Sequence, residues 1–307
     1  MSCAERGLRI AVAGARSRGD AEGDLRRLAD LASQAAREHD PDLILLPETL
    51  AGPAHGPYEL LRALARRHGC WVGGGFVAVR GSAATSVYAL AEPGGATHLH
   101  DKDQPDPWEA RSCVRGIDDG FCATDLGPLG LAAGTEWIRT RAARRLRAAG
   151  VRLVVGGASR RSWLAPEAPG RMARMVGVPA AVAQQAPPGR ERTAAGATRP
   201  ARSAGDSQIV DREGRVLALL GPDDGDGYVA AEVRLSDPDP LELVPDAEWT
   251  VHVTTSRRAG WAVQGMRGRT ARRLRQRVRR LPSPRGPRRD LLAYNPPPAG
   301  PARGEIT

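Results

Sequence analysis

Residues Gly130-Leu131-Ala132-Ala133-Gly134-Thr135-Glu136-Trp137 decide the fold of this chain. A short apolar run ends at a glycine, and a polar segment follows. This order predicts a buried strand over Gly130–Ala133, a tight turn at Gly134 and a helix over residues 138–149. A strand–turn–helix junction of this kind is the geometry of a nucleophile elbow, which presents one side chain above the edge of a sheet.

Apolar, β-rich runs alternate with helical patterns on either side of this junction. Leu8–Ala13 and Asp42–Leu46 are predicted as buried strands, and residues 20–38 between them have the apolar spacing of a helix. Further predicted elements are a helix over Leu60–Arg67, strands at Trp71–Val79, Ser86–Ala91, Val151–Val155 and Tyr228–Val233, and a hairpin of Ser207–Val210 and Val216–Leu220 around the turn Asp211–Gly214. Early alternation and later hairpins predict an α/β layered domain with mixed sheets.

The sequence divides into a folded part, residues 1–240, and an extension, residues 241–307. Residues 186–205 are rich in Pro, Gly and Arg and are interpreted as a long mobile loop. Residues 256–307 contain fourteen arginines against two acids, so most of the net charge of +10 belongs to the extension. Residues 266–281 have a narrow apolar stripe at helical spacing, and the Pro-rich end is predicted to be disordered.

Composition excludes several classes of protein. No run of about 18 uncharged apolar residues is present, which argues against a transmembrane helix. Residues 1–9 lack the apolar core of a secretion signal. The four cysteines at positions 3, 70, 113 and 122 form no CxxC pair, so reduced thiols in the cytoplasm are expected.

Two charged residues stand out as candidates for chemistry. Glu48 follows a buried strand, where a partly desolvated carboxylate can act as a general base, although a solvated strand-end glutamate is the commoner case. Of 45 basic residues, Lys102 is the only lysine. This bias favours a role that needs a compact ammonium, and chance retention explains it equally well.

The residue spacing disfavours other types of site. His98 and His100 lie two apart, so both face one side of a strand, as in some zinc sites, but the other histidines lack ligand spacing. Gly73-Gly74-Gly75 lacks the dinucleotide-loop spacing, and Gly221–Gly227 lacks that of an EF-hand. No metal and no cofactor is predicted.

Four motifs in order give the chain a resemblance to the nitrilase (carbon–nitrogen hydrolase) superfamily over about residues 8 to 235. The first is a strand ending in Leu46-Pro47-Glu48. The second joins His100-x-Lys102 to Pro105 and Trp108-Glu109. The third is the segment from Gly130 to Glu136, and the fourth is Gly205–Gly214, which is similar to the family's late hairpin.

The resemblance implies an αββα sandwich, usually paired as a homodimer through helices. It also implies a Glu–Lys–Cys triad: Glu48 matches the base, Lys102 the residue that stabilises the oxyanion, and Glu109 an accessory glutamate. The cysteine is expected at Gly134, where there is no side chain. Trp108, Thr135, Glu136 and Trp137 are expected to line the pocket.

Glycine cannot act as a nucleophile, so the family's covalent route is closed at that position. One hypothesis is thiol-independent chemistry on a small amide-, nitrile- or carbamoyl-like molecule. A second is a catalytically inactive pseudoenzyme that serves as a ligand-binding or assembly subunit. A third is binding of nucleic acid or an acidic surface through the arginines of residues 256–307, which lack interleaved aromatics apart from Trp261 and Tyr294.

Overall fold

The chain folds as two stacked six-stranded β-sheets with a pair of helices on each outer face. The computed structural model describes residues 7–18, 20–48, 55–105, 109–159, 164–186, 190–192, 198–200, 206–221, 223–235 and 237–244. Its elements in chain order are β1 (Gly7–Gly14), α1 (Ala21–His39), β2 (Leu43–Leu45), α2 (His55–His68), β3 (Trp71–Arg80), β4 (Ala83–Ala91), β5 (Thr97–Asp101), β6 (Phe121–Thr124), β7 (Gly127–Ala133), α3 (Thr140–Ala148), β8 (Leu153–Ala158), α4 (Ala168–Val176), β9 (Ala180–Gln184), β10 (Arg190–Arg192), β11 (Thr198–Pro200), β12 (Ser207–Val210), β13 (Val216–Leu220) and β14 (Gly227–Arg234).

The first sheet has the strand order β14-β1-β2-β3-β4-β5. In its centre, β2 pairs in parallel with β1 on one side and with β3 on the other. The outer strand pairs are antiparallel. Helices α1 and α2 cover the outer face. On α1 the residues Leu28, Ala32 and Ala35 recur at intervals of three or four, so one stripe of the helix is buried against the sheet.

The second sheet has the order β13-β12-β9-β8-β7-β6, with β7, β8 and β9 parallel. Helices α3 and α4 cover its outer face, where Trp137, Leu146 and Met172 belong to the core. Both faces of β8 and β9 are buried, which explains their nearly continuous apolar sequences.

A third core lies between the two sheets and includes Leu45, Tyr88, Leu131 and Val155. The layers therefore follow the order helix, sheet, sheet, helix, and the predicted αββα sandwich is confirmed. No helix within the described part of the chain is long and apolar enough to cross a membrane.

Most predicted elements occur within a few residues of their predicted bounds. The helix predicted at 138–149 is divided, since a 3-10 helix over Gly134–Ile138 precedes α3. The predicted set lacked β5, β6, α4 and β9. Strand β5 (THLHD) has no apolar alternation, because two of its inward side chains are histidines, and α4 follows a proline-rich stretch that reads as loop.

Two boundaries differ from the sequence interpretation. The segment 186–205, interpreted as a mobile loop, contains the paired strands β10 and β11, and its remaining residues after Ala186 lie outside the described ranges. The chain stays packed beyond residue 240: the Leu241 N–H donates to the Arg174 carbonyl at 2.9 Å, and Val244 contacts the outer core. The predicted arginine-rich extension from residue 245 onward lies outside the described residues.

Glycines on two strands, β8 of the second sheet and β3 of the first, leave room for the backbone at Glu48. A Cβ on Gly157 of β8 would stand 2.6 Å from the Glu48 backbone nitrogen and 2.7 Å from Cε2 of Tyr88. A Cβ on Gly75 of β3 would stand 2.8 Å from the Glu48 Cα. Side chains at either position would push Glu48 out of place, so the glycines of these two strands position the first candidate residue.

We expect Gly157→Ala to destabilise the fold by about 1–3 kcal/mol, as overpacking of a tight core does. The matched control is Gly94→Ala, where the nearest atom to an added Cβ lies 3.9 Å away. Thermal unfolding of both variants and the parent measures the effect. Equal melting temperatures for the two variants would contradict this account of the sheet packing.

Candidate active site

Glu48 lies just beyond β2, at the carboxyl end of the parallel strands, and its side chain is fully buried. The Ser159 N–H, at the end of β8, donates to Glu48 Oε2 at 3.2 Å, and the Ser86 hydroxyl lies 3.4 Å from Oε1. Both sheets therefore contribute donors to this carboxylate. Hydrogen bonds of this kind hold the carboxylate in one orientation despite its burial.

Lys102 follows β5, and its side chain is also fully buried. Its Nζ donates to Glu48 Oε1 at 2.8 Å and to Glu109 Oε2 at 2.8 Å. Its backbone is fixed as well: its N–H donates to the Ser86 carbonyl at 2.8 Å, and its carbonyl accepts from the Gly116 N–H at 2.9 Å. The structure thus brings together the three residues predicted to carry the chemistry.

The two carboxylates share one ammonium inside the protein. A buried charge is tolerated only when it is paired and hydrogen-bonded, and removing one partner of such a pair typically costs about 3–5 kcal/mol. An ammonium can direct three N–H bonds from a single point, whereas a guanidinium needs a planar fork. The geometry around Lys102 thus agrees with the inference that this position needs a compact cation.

Gly134, the predicted position of the missing cysteine, begins the 3-10 helix that follows β7. Its φ is +50°, in the left-handed region that favours glycine. The next residue, Thr135, donates its hydroxyl to the Gln104 carbonyl at 3.2 Å. This contact ties the turn to the segment that follows Lys102. It also occupies the Thr135 hydroxyl, the nearest alternative nucleophile in sequence.

Glu136 links the same turn to the strand that leads to Lys102. Its Oε2 accepts from the Ala133 N–H at 2.9 Å and lies 2.8 Å from Nε2 of His100. Its Oε1 accepts from the Asp103 N–H at 2.8 Å. On its other side, His100 contacts Asp118. Glu136, which is predicted to line the pocket, is therefore a buried carboxylate that connects the end of β7 to His100 and Asp103 on either side of Lys102.

Opposing effects set the charges in this network. Burial acts to lower the pKa of His100, but the carboxylates of Glu136 and Asp118 outweigh it and raise that pKa to about 9. Burial acts to raise the pKa of Glu136, but the His100 charge, together with Arg145, lowers it to about 2. At neutral pH the pair is therefore an imidazolium and a carboxylate held inside the fold.

The other predicted pocket residues have different outcomes. Trp137 is fully buried in the outer core against Leu146 and Met172, so it packs the helical layer and does not line the site. The position of Trp137 differs from the expectation because its side chain belongs to the core between the second sheet and its helices. Trp108 lies outside the described residues.

The cysteines and histidines of the described chain lie in different surroundings. Cys122 lies on β6 in the inter-sheet core, where burial raises its pKa to about 12. Cys113 donates its backbone N–H to the Glu109 carbonyl at 2.6 Å and is half-buried, and burial raises its pKa. His98 stacks on Trp71 while His100 joins the carboxylates, and no group of metal-ligating side chains occurs among the described residues.

The imidazolium–carboxylate pair predicts a pH-dependent stability. Glu136 has a lowered pKa, so its contribution is lost as the pH falls from the ordinary 4.5 towards about 2. His100 has a raised pKa, so its contribution is complete below 6.5 and is lost as the pH rises to about 9. We expect the parent to lose unfolding free energy between pH 6.5 and 9 and His100→Gln to lose less. Urea unfolding at several pH values measures this, with His98→Gln as the matched control. Parallel pH profiles for the parent and His100→Gln would count against the ion pair.

Comparison with known proteins agrees with this fold. The model of the carbon-nitrogen hydrolase family matches residues 9–241. No curated protein matches the chain. Among solved structures, a carbon-nitrogen hydrolase from Helicobacter pylori G27 has a TM-score of 0.64 at 18% identity, over 74% of this chain and 89% of that chain. Nit3 of Saccharomyces cerevisiae, from branch 10 of the nitrilase superfamily, has 0.63 at 17%, over 76% and 92%.

A third similar structure is a mutant of the amidase from Nesterenkonia sp. AN1, with a TM-score of 0.63 at 20% identity, over 84% of this chain and 99% of that chain. That protein carries acrylamide, added by Michael addition, at its active-site cysteine. At these identities the likeness of the three structures is one of fold. Because the family model spans most of the described chain, the protein belongs to the carbon-nitrogen hydrolase family.

Proposed function

We propose that this protein hydrolyses a small amide-, nitrile- or carbamoyl-like molecule with water, and without a protein thiol. The observation that supports it most is the buried Lys102 ammonium, 2.8 Å from a carboxylate oxygen of both Glu48 and Glu109. Those are the groups that the family's chemistry needs apart from its nucleophile, and Gly134 stands at the motif position of that nucleophile.

For an amide, the proposed reaction consumes one water molecule. Glu48 accepts a proton from the water molecule while the water oxygen bonds to the carbonyl carbon. The electron pair of the carbonyl double bond moves to the carbonyl oxygen, which becomes an oxyanion. Lys102 stabilises that oxyanion by shifting one of its hydrogen bonds from a carboxylate oxygen to the oxyanion. The carbon–nitrogen bond then breaks, and the leaving nitrogen takes the proton from Glu48, directly or through Glu109. A carboxylic acid and ammonia or an amine are released.

Burial supports a working role for these three residues. A buried ion cluster is commonly no more stable than apolar residues of the same volume. A chain that only needs to fold gains little from keeping two carboxylates and its single lysine in one dry site. Buried clusters of acidic and basic side chains are characteristic of sites that move protons.

The second candidate is an inactive subunit that binds the same class of molecule. Gly134 favours it, because loss of a covalent nucleophile normally removes several orders of magnitude of rate. Cytoplasmic location and binding through the arginines of residues 256–307 stay predictions, and those arginines lie outside the described residues.

We expect Glu48→Gln and Lys102→Met to lower kcat on a turned-over amide or nitrile by about 10²–10⁴-fold, the usual contribution of a positioned acid or base. Steady-state assays on a panel of simple amides, nitriles and carbamoyl compounds measure it. Glu59→Gln, at an exposed carboxylate of α2 that pairs with Arg62, is the matched control and should keep full activity. A parent without turnover on the panel supports the inactive-subunit candidate, and variants as active as the parent would defeat the proposed roles.

Gly134→Cys separates the two candidates. The substituted residue must adopt the left-handed conformation, which costs about 1–2 kcal/mol, so the variant should fold with a lower melting temperature. If the parent works with water, it turns over substrate without a covalent adduct, as intact-mass spectrometry would show. If only Gly134→Cys turns over or forms an acyl adduct, the parent is the inactive form. The same comparison on a Cys113→Ser background excludes labelling of the half-buried native thiol.

A further inference from the structure

Asp206, the second residue of the motif Gly205–Gly214, is a buried acid outside the Lys102 cluster. It directly precedes β12 and is 8% exposed. Burial raises the pKa of its carboxyl group, and no charge or donor among the described residues opposes that effect. Aspartate is almost never buried this deeply without a partner. The carboxylate is therefore an acceptor that the described part of the chain leaves unused.

A second unused acceptor lies beside Asp206. Gln184, the last residue of β9, is fully buried, and its Nε2 donates to the Asp206 carbonyl at 3.1 Å. Its Oε1 is also buried, and no donor from the described residues reaches it. The Ser207 hydroxyl fixes the backbone here, since it accepts from the Gln184 N–H at 2.8 Å and donates to the Gln184 carbonyl at 3.2 Å. The Gln184 amide is thus held in place with its oxygen available.

These two residues lie close to the candidate active site in the second sheet. Gln184 is the strand partner of Ala158 on β8, and the following residue, Ser159, donates its N–H to Glu48 Oε2 at 3.2 Å. Adjacent strands lie about 4.8 Å apart, so Asp206, two strands from β8, lies on the order of 10 Å from that end of β8. This separation matches the length of a small chain-like molecule.

The two oxygen acceptors, one of them charged, select the kind of group that satisfies both. An ammonium offers three N–H donors and a guanidinium five, and each carries a positive charge. Hydrogen bonds between charged partners are about twice as strong as those between neutral groups. A methyl group at the same place would leave the Asp206 charge buried without compensation, which is unfavourable.

We propose that Asp206 and Gln184 form a subsite for the cationic end of the substrate, which is an amide, nitrile or carbamoyl compound that carries an ammonium or guanidinium group. This inference rests on the proposed function and names the class of substrate for that site. The reacting carbon lies at Glu48 and Lys102, and the rest of the molecule extends across the ends of β8 and β9 to Asp206. Asp206 determines specificity and takes no part in breaking the carbon–nitrogen bond.

Isothermal titration calorimetry of the full chain tests the subsite without requiring turnover. The probes are ω-aminoalkanamides of increasing length and the alkanamides in which a methyl group replaces the ammonium. We expect the parent to bind the best aminoalkanamide at least about tenfold more tightly than its methyl analogue. Asp206→Asn should bind the two equally and keep the affinity of the parent for the methyl analogue. The matched control is Asp223→Asn, which removes an exposed carboxylate and should keep the tenfold preference.

Thermal unfolding shows whether Asp206 serves the fold instead. Asp206→Asn should melt no lower than the parent at neutral pH, because it removes a buried charge without a counter-charge. A lower melting temperature together with an unchanged preference for the ammonium would assign Asp206 a structural role and overturn the inference. So would equal binding of the charged and uncharged probes by the parent, as expected if Asp206 holds a proton and donates it to Gln184.

Butylammonium, which has no reactive group, separates this inference from the proposed function. Binding of butylammonium by the parent and not by Asp206→Asn supports the subsite even if no amide is turned over. Turnover of uncharged alkanamides with the same kcat/KM as the aminoalkanamides would leave the proposed function standing and would overturn the inference.

Discussion

One buried ammonium between two carboxylates governs the arrangement of this protein's site. Lys102 comes from the end of β5, Glu48 from the end of β2 and Glu109 from the 3-10 helix Glu109–Arg111, so three separate segments must converge within hydrogen-bond distance. Burial makes the convergence strict, since any member left alone would be an unpaired charge in the interior. The tight approach of Gly157 to Glu48 is a consequence: the two sheets must lie close enough for both to hold the same carboxylate.

The hydrogen bonds of Glu136 form a second set of contacts around the site, and they do not involve the position of the family's nucleophile. They fix the turn after β7 to the backbone at Asp103 and to His100, and so hold the strand end that carries Lys102. None of these bonds requires a side chain at Gly134. The site can therefore keep its acid–base geometry without its usual covalent step, and this is the physical reason that a hydrolytic route through water is reasonable here.

The sequence predicted the parts of the structure that depend on local pattern. Strands β1, β2 and β8 are short apolar runs, and the order of the motifs groups Glu48, Lys102 and Glu109, which the structure places within hydrogen-bond distance of one ammonium. Prediction from the sequence failed for elements whose residues are paired with residues far along the chain. Strand β5 has inward histidines that are paired with Asp118 and Glu136 or stacked on Trp71, so it lacks the alternation of a half-buried strand. The sequence places both Trp137 and Glu136 in the pocket, whereas in the structure Trp137 packs in the outer core and Glu136 bonds to His100 and to the backbone at Ala133 and Asp103.

The most direct test of the central claim is turnover by a chain in which all four cysteines, at positions 3, 70, 113 and 122, are replaced by alanine. Cys70 and Cys122 are buried, so thermal unfolding must first show that the variant folds. The account predicts that kcat/KM on the best amide or nitrile substrate equals that of the parent, because water is the nucleophile. Turnover by the parent that disappears in the folded cysteine-free chain would contradict it and assign the nucleophile to one of these thiols.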